Sequence, residues 1–286
     1  MPELAEVELS RRIWATRRAE TILRVTLRAG VRIFRGVDTE ALARGLVGRK
    51  LVRSLARGKQ TAFVFASRPG AADAQWVGIH LGMAGSLHRV PSAAFAPGKH
   101  DHLVLWGAKH ALVFRDVRHF GRVRSHAGAD EPAWWSALAP DLTSPAFTVA
   151  ALTAFLLRRK NAPLKAVLLM QERFPGVGNW LADEILWRAL LHPATHCGQI
   201  TVEQTRTLWR EIRRVCRESL RQIDKNWNYP ASWLFRYRWK PGGKCPRCRA
   251  ALDRATIGGR TTCWCPRCQP APARKPRGKP VTPRRG

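Results

Sequence analysis

The sequence predicts an α+β fold: a β-sandwich or barrel behind an N-terminal helix, then a helical region, then a small cysteine-rich hairpin. Three observations carry this. Short strand-like runs broken by Gly, Pro and Ser fill residues 22 to 123, helix-length periodic segments fill 149 to 223, and two Cys-x2-Cys pairs lie near the end. With 286 residues, 45% of them apolar, the chain can supply a core for about two domains.

From Glu3 to about Arg18 there is no Gly or Pro, and Leu4, Val7 and Trp14 fall at helical spacing, which predicts a helix starting almost at the first residue. Thr61 to Phe65, Trp76 to Leu81, His102 to Trp106 and Ala111 to Arg115 then read as strands. Around Pro132 to Pro145 the strand signal stops. Val149 to Arg158, Leu164 to Glu172, Trp180 to Leu190 and Val202 to Ile223 read as helices with short connections. The expected organisation is therefore 1–130 for the N-terminal sandwich, 131–235 for the helical domain, 236–269 for the cysteine unit and 270–286 for a tail. From Pro270 onward five prolines and six Lys/Arg share seventeen residues, a composition expected to be disordered and to cling to phosphate without specificity.

Charge narrows the partners. Fifty Lys and Arg against twenty Asp and Glu leave +30, which points to a polyanion, with nucleic acid first. A GC-rich genome explains Arg over Lys, but not the excess of positive charge. The longest apolar runs, Leu164 to Met170 and Ala150 to Leu157, are far short of the ~20 residues that cross a bilayer. Met1-Pro2-Glu3 opens an acidic stretch where an export signal needs basic and apolar blocks, so a reducing, cytoplasmic setting is expected. There the seven cysteines favour metal over disulfides.

Cys245-Pro-Arg-Cys248 and Cys265-Pro-Arg-Cys268 are two knuckles with sixteen residues between them, the spacing of a tetrahedral zinc site with four thiolate ligands. Gly258-Gly259 permits the intervening segment to double back as a hairpin, with Arg260 beside its tip. Cys263 offers a competing ligand, but only Cys265 stands at the right interval from Cys268. Cys197 and Cys216 read as buried small apolar residues. On spacing alone a purely structural ribbon outweighs one that also touches substrate.

Once Met1 is removed, Pro2 exposes a secondary amine far less basic than a lysine, a usable nucleophile near neutral pH, with Glu3 beside it to move protons. By composition alone, Pro-Glu is an ordinary helix start. The run Pro2-Glu3-Leu4-Ala5-Glu6-Val7-Glu8, however, resembles the opening of the formamidopyrimidine-DNA glycosylase and endonuclease VIII family of base-excision repair enzymes. Five further stretches resemble it in order. They are Arg57-Gly58-Lys59, His80-Leu81-Gly82-Met83-Ala84-Gly85, Asp116-Val117-Arg118-His119-Phe120-Gly121, the run Pro175 to Glu184, and Gly259-Arg260 with Cys265-Pro-Arg-Cys268-Gln269. The matches span residues 2 to 269.

The resemblance implies that the helical part is a helix-two-turn-helix domain followed by a zinc-finger β-hairpin. It implies a monomeric bifunctional DNA glycosylase and abasic-site lyase of the bacterial cytoplasm and nucleoid, acting on damaged double-stranded DNA, with one structural Zn2+ on Cys245, Cys248, Cys265 and Cys268. Pro2 attacks C1′ and forms an iminium, and β- and then δ-elimination follow. Glu3 moves protons at the sugar ring oxygen, Glu6 orients the helix start, and Lys59 and Arg260 bracket the lesion phosphates. His80 stands at the start of the Met-bearing loop on the DNA face, Met83, Arg118 and Phe120 fill the gap left by the flipped nucleotide, and Asn179 with nearby helix amides holds the backbone. Read alone, Met83 and Phe120 would be core, Lys59 and Arg118 solvated charges, and Asn179 a helix N-cap.

There are departures. Ala5 replaces the usual proline between the two glutamates, His119 replaces a second arginine, and the stretch before Cys245 lacks the long segment that covers an everted 8-oxoguanine. Ring-opened or further-oxidised purines are therefore the expected substrates, with oxidised pyrimidines possible. The competing class is a non-catalytic zinc-containing DNA-binding protein of the same fold, against which the joint presence of Pro2, Glu3 and Lys59 argues.

Overall fold

Apolar spacing and turn chemistry dictate where the chain folds back on itself, and a computed structural model describes the result for residues 2–16, 18–225 and 228–272. The basic tail beyond residue 272 lies outside the described residues.

Helix α1 (Leu4–Trp14) buries Val7 and Trp14 against a sandwich of two four-stranded antiparallel sheets. One sheet runs in the order β1 (Arg24–Leu27), β6 (Asp101–Trp106), β7 (His110–Arg115), β5 (Ser86–Pro91). The other runs β2 (Lys50–Arg57), β3 (Gln60–Ala66), β4 (Gln75–His80), β8 (Arg122–Ala127). Phe63, Phe65, Val77 and Ile79 of the second sheet meet Leu87, Leu103, Leu105 and Phe114 of the first in a shared core, so the choice between sandwich and barrel falls to the sandwich.

Three helices differ from expectation. Helix α1 stops at Trp14 rather than near Arg18, although no breaker intervenes. Its end is set by tertiary contacts: the Trp14 ring lies 4.7 Å from that of Phe63, and its indole N–H donates to the His88 carbonyl at 3.1 Å. Helix α2 (Thr39–Leu46) interrupts the strand-rich part, capped by Asp38, whose carboxylate accepts the Ala41 amide. The third, expected over Leu164 to Glu172, ends at Leu168, where the chain turns into the loop that Gln171 ties down before Asn179.

After the short helix α3 (Ala133–Ser136), which lays Trp134 and Trp135 over the outer face of the second sheet, the helical part comprises α4 (Val149–Arg158), α5 (Leu164–Leu168), α6 (Asn179–Arg188) and α7 (Val202–Arg221). Their core includes Leu4 from the far end of the chain, so the N-terminal helix serves both halves. The joint is tight. The Leu4 amide donates to the Gly176 carbonyl at 3.0 Å, and a side chain at Gly58 would strike Pro175 and Gly176 within 3 Å. Strands β9 (Asp253–Ile257) and β10 (Arg260–Trp264) form the cysteine-flanked hairpin, with Gly258 and Gly259 both at positive φ as a two-residue type I′ turn requires.

Candidate active site and nucleic-acid interface

Sheet register gathers one set of site residues. Gln60 pairs with His80, and His80 with Arg122, so the Gly58-Lys59 turn, the end of β4 and the loop preceding β8 all emerge at one edge of the second sheet. That edge faces the starts of α1 and α6. The result is a cleft of about 770 Å³ bordered by Pro2, Glu3, Glu6, Lys59, His80 and Met83 from the N-terminal half and by Asn179, Trp180 and Arg260 from the C-terminal half.

Glu3 is only 4% exposed. Its two carboxylate oxygens accept the amides of Gly178, Trp180 and Leu181, each at 3.1 Å, so it caps α6 from the other end of the chain. Glu6 completes a capping box by accepting the Glu3 amide at 3.1 Å, and it also takes the Trp180 indole N–H at 3.3 Å. Burial pushes the Glu3 carboxyl up to about 7, against the pull of those amides and of Lys59. Burial likewise raises Glu6.

Lys59 is buried, and burial with the nearby Arg260 charge holds its ammonium below the ordinary lysine value while Glu3 opposes them. A less basic amine and a carboxyl titrating near neutrality thus share one wall. His80 is kept below its usual value by burial and by Lys59 and Arg124, and its Nδ1 accepts the Gly82 amide at 3.1 Å, which fixes the start of the Met83 loop.

Met83 is 40% exposed and Phe120 44%, contrary to the core reading each would have alone. Gly82, at φ +65, lets the Met83 loop lie against the backbone of Phe120 and Gly121, where any Cβ would clash at 2.5 Å. Asp116 pins the second loop by accepting the amides of Arg118 at 3.0 Å and Gly121 at 2.7 Å, and the Arg118 guanidinium lies 4.9 Å above the Phe120 ring. Arg118 and Phe120 stand outside the lining of the cleft, on the adjoining rim.

Asn179 is the first residue of α6, not its N-cap, which is Gly178. Its side-chain amide donates to the Thr261 carbonyl at 2.8 Å and joins the helix to the hairpin, while the neighbouring amides of the helix start are held by Glu3. The hairpin tip is seated further by Gly258, which has no room for a side chain against Ala166 of α5. Arg260 thereby reaches the cleft.

The four knuckle thiols converge, with sulfurs 3.5 to 3.9 Å apart for Cys248–Cys265, Cys248–Cys268 and Cys245–Cys268. Tetrahedral zinc with bonds of about 2.3 Å needs sulfurs about 3.8 Å apart, so the set fits one structural zinc ion. The Trp187 indole donates to the Cys245 sulfur at 3.4 Å, a contact that supports ligand orientation. Cys263 is buried outside the set, and Cys197 and Cys216 lie in the helical core.

The chain matches the formamidopyrimidine-DNA glycosylase N-terminal domain over residues 1–123, the H2TH domain of that enzyme over 138–227, and the zinc finger found in FPG and IleRS over 242–271. A formamidopyrimidine-DNA glycosylase of Thermomicrobium roseum is 32% identical across 94% of this chain and 99% of its own length. The chain belongs to the formamidopyrimidine-DNA glycosylase family. A Geobacter metallireducens member is 33% identical over 94% of this chain and all of its own. The fold superposes on the Lactococcus lactis formamidopyrimidine-DNA glycosylase bound to abasic-site DNA with a TM-score of 0.81 and 26% identity, covering 94% of this chain and 100% of that one. The same Lactococcus enzyme with DNA containing an oxidised pyrimidine gives 0.80 at 26% identity and the same coverage.

Within this family frame, four cleft residues escaped sequence reasoning: Leu169, Gln171, Arg238 and Trp239. Gln171 ties the loop before α6 by donating to Leu169 and Val177 carbonyls and accepting the Gly176 amide. Trp239 is 52% exposed, and a ring series of Tyr229, Phe235 and Trp239 runs from the helical core to the cleft. The aromatic and basic stretch from Trp233 to Trp239 was the available signal.

Proposed function

We propose that this chain is a bifunctional DNA glycosylase and abasic-site lyase acting on damaged double-stranded DNA, with Pro2 as nucleophile. The observation that carries the reading is the convergence of Pro2, buried Glu3 and buried Lys59 on one cleft edged by Arg260. The Pro2 nitrogen, free once Met1 is removed, bonds to C1′ as the bond from C1′ to the base breaks and the base leaves with that electron pair. The N–H proton of the attached Pro2 passes to the departing base, Glu3 donates its proton to the sugar ring oxygen, the C1′–O4′ bond opens, and an iminium forms between Pro2 and C1′. Loss of a C2′ proton then expels the 3′ phosphate, and a second elimination expels the 5′ phosphate. A carboxyl titrating near 7 is suited to giving and retaking a proton at neutral pH.

Lys59 and Arg260 supply charge-assisted donors to the phosphates flanking the lesion, while Met83, Arg118 and Phe120 occupy the space vacated in the duplex. His80 and Asn179 position the loops that do this. Trp239 presents an aromatic face to the everted base. That face selects by stacking rather than by reading one base edge, which supports a preference for ring-opened and further-oxidised purines over 8-oxoguanine, with oxidised pyrimidines accepted. Solved relatives with formamidopyrimidine-containing and oxidised-pyrimidine DNA support that range. The zinc ion holds the hairpin and takes no chemical step.

Borohydride reduction during incubation with an abasic duplex tests the reading. A covalent complex mapping to Pro2, lost in Pro2→Gly, is the expected result. Trapping at a lysine, or a full lyase rate in Pro2→Gly, removes the assignment.

A further inference from the structure

A histidine cluster lies against the Asp116–Gly121 rim loop. His100, His102 and His119 place one ring nitrogen each within 4.8 Å of one another, far along the chain from the cysteine knuckles. His102 is fully buried in β6, and its Nε2 meets the Asp116 carbonyl at 2.9 Å. A carbonyl only accepts, so Nε2 carries the proton and Nδ1 is left as a lone pair. That Nδ1 is buried and has no hydrogen-bond partner, and neither does the buried Nδ1 of His100. An imidazole whose outer N–H is held by a backbone carbonyl while its inner nitrogen is unpartnered is the arrangement that orients histidine toward a metal.

His119 completes the set. Its backbone sits at φ +54, a left-handed conformation uncommon for a side-chain-bearing residue, and its ring packs edge-on to His102 at 4.6 Å while its neighbours Arg118 and Phe120 are exposed. Of the charged groups nearby, the Asp116 carboxylate is occupied by the Arg118 and Gly121 amides, Asp101 is paired with Arg115, and Arg28 lies close enough to His102 to act on it electrostatically. Three imidazoles with no carboxylate ligand suit Zn2+, Ni2+ or Cu2+ rather than Mg2+ or Ca2+. Ligand nitrogens about 3.3 Å apart satisfy a tetrahedral ion with bonds near 2.0 Å, leaving the fourth position for water. The three nitrogens, within 4.8 Å of one another, must close to that spacing on metal binding by rotation of the half-buried His100 and His119 rings.

We propose that His100, His102 and His119 form a second divalent transition-metal site, distinct from the cysteine site, that clamps the Asp116–Gly121 loop to β6. The clamp acts on the residues that fill the duplex gap, and this consequence rests on the function proposed above.

The test is equilibrium dialysis of the untagged, zinc-loaded chain against nickel, with both metals quantified. Wild type retains one zinc and one nickel per chain, whereas His119→Arg and His100→Ala each retain the zinc and lose the nickel. No nickel in wild type, or as much nickel in the variants as in wild type, overturns the site. In a second arm, nickel changes wild-type affinity for an abasic-analogue duplex at least threefold and leaves His119→Arg unmoved; equal responses overturn the clamp. Absence of duplex binding in every sample would refute the proposed function instead, and the metal count would still stand.

Discussion

The Glu3 carboxylate accepts the Trp180 amide at 3.1 Å across 177 residues of sequence, so the acid nearest the proposed nucleophile is also the cap of the helix opposite. Its value rises from 4.5 in the unfolded chain to about 7 in the fold, and folding therefore takes up a proton between those values. Stability from this group is complete below pH 4.5 and is lost as pH climbs through 7, about 3 kcal/mol in all. Urea unfolding from pH 4 to 8 should show most of that slope vanish in Glu3→Gln, with a residue left by Glu6, which burial also raises.

The same substitution separates two chemical steps. Glu3→Gln should lower base excision by ~10²–10⁴-fold while cleavage of a preformed abasic site falls much less, because elimination can draw on other proton carriers. Single-turnover rates on a lesion duplex and an abasic duplex provide the comparison. Equal losses would count against a specific role at ring opening.

At the hairpin, metal and contact roles should come apart. Cys268→Ser should lose the structural zinc, Cys263→Ser should retain one equivalent, and Arg260→Ala should retain it while binding lesion duplex more weakly. In Arg260→Ala the slope of log K against log salt should shrink by about 0.9, one phosphate contact. Zinc loss in Arg260→Ala would instead make that arginine a folding residue.

Trp239→Ala should weaken binding of flipped-base duplexes by roughly 5- to 150-fold, the equivalent of about 1–3 kcal/mol of base stacking, with little effect on an abasic duplex that has no base to stack. Titration of the two duplexes side by side reads the difference. Uniform weakening would assign Trp239 to backbone contact.

Arg118→Ala should erase any preference for lesions opposite cytosine over adenine, since a guanidinium donates to cytosine acceptors but meets a donor on adenine. Initial rates on matched duplexes, each lesion opposite C and opposite A, measure it. An unchanged ratio would take Arg118 out of the discrimination.

What could be read from residues alone divides along physical lines. The four strands legible in the sequence, β3, β4, β6 and β7, are all interior to their sheets, whereas β1, β2, β5 and β8 are the sheet edges. Interior strands carry continuous apolar runs such as Thr61 to Phe65, while an edge such as Lys50–Arg57 mixes arginines with half-buried residues and shows no period. Helix α2 had a local signal in Asp38, Leu42 and Leu46, but strand-rich surroundings masked it. In the site, the cysteine set follows from spacing, whereas Glu3 as the cap of α6 and Trp239 as a cleft wall depend on segments meeting across the fold. No local pattern encodes those meetings.

Capping of α6 by Glu3 also sets an order of events during synthesis. At roughly 5–20 residues per second, about 10 to 35 s separate the emergence of Glu3 from that of Trp180. During that interval the sandwich can collapse, yet its acid has no helix start to hold it and its leading Leu4 has no helical core to enter. The ribosome therefore releases the two sides of the cleft at different times, and a truncated chain ending before α6 would carry Pro2, the proposed nucleophile, without the helix start that holds Glu3. A completed cleft arrives late in translation, as a property of the nearly finished polypeptide.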